Sequence, residues 1–213
     1  MAVVAIDGPG GSGKSTVAGA LAARLGVPHV DTGAYYRAAA LAVLRAGVDP
    51  TDEGGVIAVV TRARIDRRDG RTCLDGDDVE DEIRGAEVTA AVSRVSGQLA
   101  VRAALLGLQR AAVDAAGAVV EGRDAGTVVV PDADLKVWLT ASAEERAARR
   151  ATQVGETGAA AVATHAAALR ARDDADRPQT LQAPDAVVVD TTGLPIAAVV
   201  EDLAARATAR VRS

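Results

Sequence analysis

Phenylalanine and asparagine are absent from this sequence, and tryptophan, methionine and cysteine occur once each. Without large aromatic side chains, a core has to be packed from Ala, Val and Leu. A single cysteine, Cys73, excludes an internal disulfide and suits a reducing compartment. Long apolar runs are missing too, none approaching the ~20 residues that span a bilayer. The opening "MAVVAIDG" has no basic segment and is too short for a signal sequence, so the expectation is a cytoplasmic chain without membrane contact. Net charge is −5, which argues against broad nucleic-acid binding. Lysine is nearly missing: of 24 basic residues only Lys14 and Lys136 are not arginine. Base composition of the coding DNA accounts for that bias in general, but not for a lysine kept inside a glycine-rich loop. The lack of asparagine removes the Asn- and Lys-based motif by which GTPase switches read guanine, and no Gln or Glu is obviously placed to orient an attacking water.

Strand and helix patterns alternate along the chain. Short apolar, β-branched runs at 2–6, 27–31, 117–122, 133–139 and 185–190 predict strands. Helical periodicity follows at 13–26, 33–47, 87–116 and 195–211, and Ser142-x-x-Glu145 predicts a capping box opening an arginine-rich helix. Residues 48–62 predict a loop with a short helix. Residues 62–81 are polar with two Asp-Gly turn signals, predicting a small surface hairpin. Residues 152–184 are rich in Ala, Gly and charge and predict a mobile segment. The fold class expected is α/β, a three-layer five-stranded parallel sheet with helices on both faces.

Between the first strand and first helix, Gly8, Pro9, Gly10, Gly11, Ser12, Gly13, Lys14, Ser15 and Thr16 fit G-x-x-x-x-G-K-[ST] at every defined position. Glycines let consecutive N–H groups turn inward around phosphate oxygens, and the following helix adds its positive end. Lys14 supplies a point charge to the terminal phosphates, and Ser15 offers a hydroxyl to Mg²⁺. The pattern identifies a nucleotide-phosphate site but not what receives the phosphate.

Open parallel sheets bind ligands at the carboxyl ends of their strands. Arg37 follows the second strand by about a turn, and Arg123-Asp124 ends the third. Two arginines there suit a second anionic ligand, because a guanidinium engages phosphate oxygens bidentately. Arg146, Arg149 and Arg150 share a helix face, and Arg172 and Asp176 lie four apart on another. A phosphate acceptor is already nucleophilic, so no general base is needed. That agrees with only two histidines, His29 read as a strand residue and His165 as surface. Trp138 is expected in the core, Cys73 as an inert hairpin residue, and Tyr35 or Tyr36 near an acceptor. Other acceptors, including shikimate, and a nucleotide-binding module without turnover remain open at this level.

In order from residue 2 to about 177, "IDGPGGSGKST", "DTGAYYRAAAL", "GDDVEDEIR", "EVTAAVSRVS", "AVR", "EGRDAGTVVVPDADLKVWLTASAEERAARR" and "RDDADR" resemble bacterial cytidylate kinases. The resemblance implies a P-loop nucleoside monophosphate kinase fold as a single domain. Its core would be 1–62, 117–151 and 185–213, with an acceptor-binding insert at 63–116 and a lid at 152–184. It implies γ-phosphate transfer from ATP to CMP or dCMP with Mg²⁺, by a monomer with no nucleic-acid or membrane partner. Thr32, Arg37, Ser93, Arg102, Arg123, Asp124, Arg172 and Asp176 would bind CMP, and Lys14, Arg37 and Arg123 would serve catalysis. Cytosine presents an amino donor beside two ring acceptors, which suits Asp124 as acceptor with Arg102 and Ser93 as donors. The sequence departs from the family at Gln179, where another arginine is expected.

Overall fold

The computed structural model describes residues 1–68, 70–114 and 116–211. Asp69 of the expected hairpin, Ala115 of the expected 87–116 helix, and residues 212–213 at the end of the expected core lie outside the described residues. Contacts divide the chain into two compact units, Met1–Val30 with Val113–Ser213, and Asp31–Ala112. The second unit thus begins at Asp31, whereas the expected insert begins at residue 63.

The first unit is organised by a parallel sheet. Its strands are β1 (Val3–Asp7), β2 (His29–Asp31, whose last residue begins the second unit), β6 (Ala118–Gly122), β7 (Leu135–Thr140) and β8 (Val187–Asp190). Their order is β2-β6-β1-β7-β8, with β1 in the centre. β1 pairs in parallel with β6 and β7, and β7 with β8. A strand flanked on both sides should be apolar throughout, and Val4, Ala5 and Ile6 are fully buried. Helices α1 (Lys14–Leu25) and α8 (Ile196–Val211) cover one face of this sheet, closing a cluster with Val4, Ile6, Leu21, Val137, Leu139 and Leu203. On the other face a π-helical turn, Ala125–Val129, sets Gly126 against Ala5 and Asp7. Trp138 is half-buried on β7 and not part of the core, because alternate residues of that strand point away from the α1–α8 cluster.

The expected capping residue is in place: Ser142 Oγ accepts from the Glu145 amide at 3.2 Å and opens α6 (Ala143–Gln153). Within the segment expected to be mobile lies α7 (Ala159–Asp176), eighteen residues long, packed against α6. Alanine favours the helix intrinsically, and Ala161, Val162, His165, Ala166, Leu169, Arg172, Asp173 and Asp176 make a less exposed stripe at helical spacing.

The second unit holds α2 (Thr32–Arg45), α3 (Glu53–Val60), α4 (Ala86–Ser96), α5 (Leu99–Ala111) and an antiparallel sheet of β3 (Ile65–Arg68), β4 (Arg71–Leu74) and β5 (Asp77–Asp78). The two-residue Asp75-Gly76 turn joins β4 to β5 with positive φ at both positions, as a tight hairpin requires. The helical periodicity expected over 87–116 is carried by two helices. Gly97 ends α4 and Gln98 is extended, its side chain donating to the Pro50 carbonyl at 2.9 Å. Periodicity survives the break because Val88, Val92, Val95, Val101 and Leu105 all enter one core. Cys73 is buried in β4.

Leu21, fully buried between helix and sheet, is the test of this core. Leu21→Ala should cost ~2–5 kcal/mol, read from the urea midpoint. A loss below about 1 kcal/mol would contradict the packing described, since that is within reach of surface substitutions.

Candidate active site

The parallel register sets Asp7 of β1 opposite Gly122 of β6 and Trp138 of β7. The next residues therefore emerge side by side, Gly8 with Arg123 on one flank and Leu139 on the other. Arg123 Nη1 donates to the Gly8 carbonyl at 2.8 Å. Gly8 has φ 151°, and a Cβ there would lie 2.0 Å from the Leu139 carbonyl oxygen. Only glycine fits.

Cationic side chains take one carbonyl after another along the loop. Lys14 Nζ donates to Pro9 at 2.8 Å, Arg146 Nη1 to Gly10 at 2.8 Å, and Arg149 Nη1 to Ser12 at 3.3 Å. With its carbonyls engaged by cations, what such a loop offers an anion is its N–H groups. Burial, and after it the positive charge of Arg123, pushes the Lys14 ammonium down to about 7, opposed by Glu121 and Asp7. A polyanion at the loop would reverse that shift.

Ser15 Oγ donates to Glu121 Oε2 at 2.9 Å, and the other oxygen of Glu121 lies 2.9 Å from His29 Nε2. Glu121 is buried at the end of β6, so a hydroxyl, a carboxylate and an imidazole form a chain. An oxygen pair of this kind suits a hard cation that keeps most of its water. Asp7 is buried beneath the loop and accepts from the Ala125 and Gly126 amides at 2.7 and 2.8 Å. Burial raises its carboxyl to about 6 despite those hydrogen bonds.

Helix α7 supplies further charges beside the loop. Asp176 accepts from Arg123 Nη2 at 2.9 Å. Arg172 Nε is 3.6 Å from Asp176, an ion pair too long for a hydrogen bond. Burial, then Arg123, lowers the Arg172 guanidinium. Asp173 meets Arg146 at 2.5 Å. Past α7 the chain returns to this cluster, the Leu181 amide donating to the Arg123 carbonyl at 3.0 Å.

In the second unit, Thr32 is buried at the start of α2 behind Asp31, which caps the helix by accepting from the Ala34 amide at 3.1 Å. Arg37 Nη1 donates to the Ile83 carbonyl and to Thr89 Oγ1, both at 3.0 Å. Ser93 is one turn beyond Thr89 on the same face of α4. Arg102 stacks over Tyr36, 5.1 Å from the ring centroid, and donates to the Ser96 carbonyl at 3.2 Å.

The cytidylate kinase family model matches residues 4–209. Relatives named cytidylate kinase are 51% identical in Mycobacterium avium and 47% in Mycobacterium leprae, over 94% of this chain and 92% and 93% of theirs. One from Pelotomaculum thermopropionicum is 44% identical over 97% of this chain and 96% of its own. The chain belongs to the cytidylate kinase family.

For a family member with a P-loop fold, the glycine loop sits where the sequence puts it, and Lys14, Ser15, Arg123, Arg172 and Asp176 come together around or beside it. Asp124 is buried at the base of the π-helical turn, its carbonyl accepting from the Val128 amide at 2.8 Å. Thr32, Arg37, Ser93 and Arg102 belong to the second unit. Among the three helix arginines, Arg146 and Arg149 face the loop, whereas Arg150 pairs with Gln153 at 2.8 Å. Gln179 ends the 3₁₀ turn after α7. Sequence reasoning missed Glu121, Asp173 and the role of His29. His29 is a strand residue as expected, the first of β2, and its ring is also bonded to Glu121, while His165 is partly covered on α7 and meets Glu156 at 2.9 Å. Parallel pairing of β1 with β6 could have singled out Glu121, because strand-end residues beside a glycine loop share its site. Nothing in the spacing of "RDDADR" singles out Asp173.

Replacing Gly8 tests the loop geometry. Gly8→Ala must push the loop off the Leu139 carbonyl, and ATP affinity measured by calorimetry should fall at least ~10-fold, the worth of one charged hydrogen bond lost between loop and phosphate. Affinity unchanged within threefold would contradict the close approach.

Proposed function

We propose that this protein transfers the γ-phosphate of ATP to CMP or dCMP, giving ADP and CDP or dCDP, as a cytoplasmic monomer. What carries the reading is the family match over residues 4–209 together with a glycine loop ringed by Lys14, Arg123, Arg146 and Arg149. Among the described residues no helix is long and apolar enough to cross a membrane.

Gly8 to Thr16 would cradle the donor phosphates, with Lys14 as the point charge. Ser15, oriented by Glu121, would hold Mg²⁺, which would supply positive charge against the donor phosphates. Arg37 and Arg123 would hold the acceptor phosphate. Ser93, Arg102 and Asp124 would read cytosine, Arg172 and Asp176 would contact the sugar, and Thr32 would line the acceptor site. An acceptor phosphate is anionic and needs no base, so the side chains act by alignment and by neutralising charge as it shifts toward the leaving oxygen. Uracil would turn a carbonyl oxygen toward the buried Asp124 carboxylate, setting acceptor against acceptor, which disfavours it.

A coupled assay of ADP release with CMP, dCMP, UMP, AMP, GMP and shikimate tests the acceptor. CMP and dCMP should stimulate release most, and stimulation by shikimate alone would refute the assignment. Asp124→Ala should raise KM for CMP ~10–100-fold, the value of a charged hydrogen bond, and narrow the CMP/UMP ratio. An unaltered ratio would show that Asp124 does not read the base. Lys14→Ala should cut turnover with every acceptor by ~100-fold or more. Retention of the full rate would remove Lys14 from the donor site.

A further inference from the structure

Asp173 closes a circuit with the glycine loop. Its Oδ1 accepts from the Gly10 amide at 3.0 Å, and its Oδ2 accepts from Arg146 Nη1 at 2.5 Å. The same Nη1 donates to the Gly10 carbonyl at 2.8 Å. Asp173 and Gly10 are far apart in sequence, so tertiary packing makes this contact. The helix also presses close, since a Cβ on Gly10 would lie 3.3 Å from the Leu169 side chain and 3.4 Å from Asp173 Oδ1.

A main-chain N–H of a glycine loop and an arginine beside it are the donors a phosphate oxygen seeks. Here one carboxylate holds both. A carboxylate and a phosphate carry like charge and ask for the same partners, so the two compete for this corner of the loop. Neighbouring carboxylates have other roles: Glu121 bonds Ser15, Asp7 bonds the Ala125 and Gly126 amides, and Asp176 bonds Arg123. Asp173 takes a loop amide itself, at Gly10.

We propose that Asp173 is an affinity-setting residue of the donor site, a built-in anion that occupies the place of a phosphate oxygen at Gly10 and Arg146 and is displaced when the triphosphate binds. The proposal rests on the glycine loop being the donor site. Displacement takes up part of the binding free energy, so the loop binds ATP more weakly than its donors alone would allow. It also returns Arg146 to the arriving phosphate, which couples donor binding to release of the α7 end from the loop.

The test measures ATP binding by calorimetry, without acceptor, to the full-length protein and to Asp173→Asn, Asp173→Ser and Asp173→Glu. The neutral variants keep an oxygen for the Gly10 amide but lose the charge, and each should bind ATP about tenfold tighter, the relief of a displaced competitor. Asp173→Glu, still an anion, should stay within about threefold of the parent. Neutral variants that bind ATP equally or more weakly would overturn the proposal, because Asp173 would then be supporting Arg146 in the complex. Should the parent bind ATP and the neutral variants fail to tighten, only this inference falls; should the parent not bind ATP, the donor-site reading falls with it. Amide exchange in the unaltered protein gives a second measurement that needs no variant. Protection across 168–177 must change on adding ATP, and an unchanged pattern would overturn displacement.

Discussion

Four carbonyls of one short loop are each held by a cation: Gly8 by Arg123, Pro9 by Lys14, Gly10 by Arg146 and Ser12 by Arg149. The remainder of the first unit is arranged to make this possible. A loop that wraps an anion must turn its N–H groups one way and its carbonyls the other, and buried carbonyls without donors are costly. Arg123 arrives from the end of β6, beside β1 in the sheet. Arg146 and Arg149 come from α6, whose capping by Ser142 fixes where its first turn begins. The cations that stabilise the loop's backbone are also the charges that a phosphate needs near it, so folding and binding draw on the same residues.

Concentrating positive charge in this way has an electrostatic cost, and the structure shows how it is distributed. Lys14 is lowered to about 7 by burial and by Arg123, and Arg172 is lowered for the same two reasons. Glu121, Asp173 and Asp176 are set among them as counter-charges. Two of these carboxylates lie on α7, so the helix that the family resemblance implies as a lid carries the anions that balance the loop. The alanine-rich outer face of α7 contributes helix propensity and little packing, which leaves its hold on the loop to Leu169, Asp173 and Asp176.

Much of the fold was legible from local pattern. The five sheet strands lie within a few residues of their expected places, because each is a short β-branched run closed by a polar or glycine signal. The helical periodicity expected over 87–116 belongs to two helices, which keep a common periodicity because they feed one core, and Gly97 with Gln98 is a weak break to read. The helix within 152–184 was not legible because its apolar residues are mostly alanine, and its inner stripe mixes Leu169 with charged residues that a hydrophobic pattern does not count.

Residue type and spacing alone determined the phosphate loop and the lysine and serine within it, because that chemistry demands glycine, ammonium and hydroxyl at fixed separations along one stretch of chain. They also determined the arginine and carboxylate at the end of β6, since a strand's terminus is a local property. Only the tertiary structure decided which distant side chains meet the loop. Asp173 reaches Gly10, Arg149 reaches Ser12, and His29 reaches Ser15 through Glu121, each across a separation that no local pattern encodes. Strand order and helix packing bring those groups together, and both follow from burying apolar surface, a force that is indifferent to the identity of the polar residues it carries along.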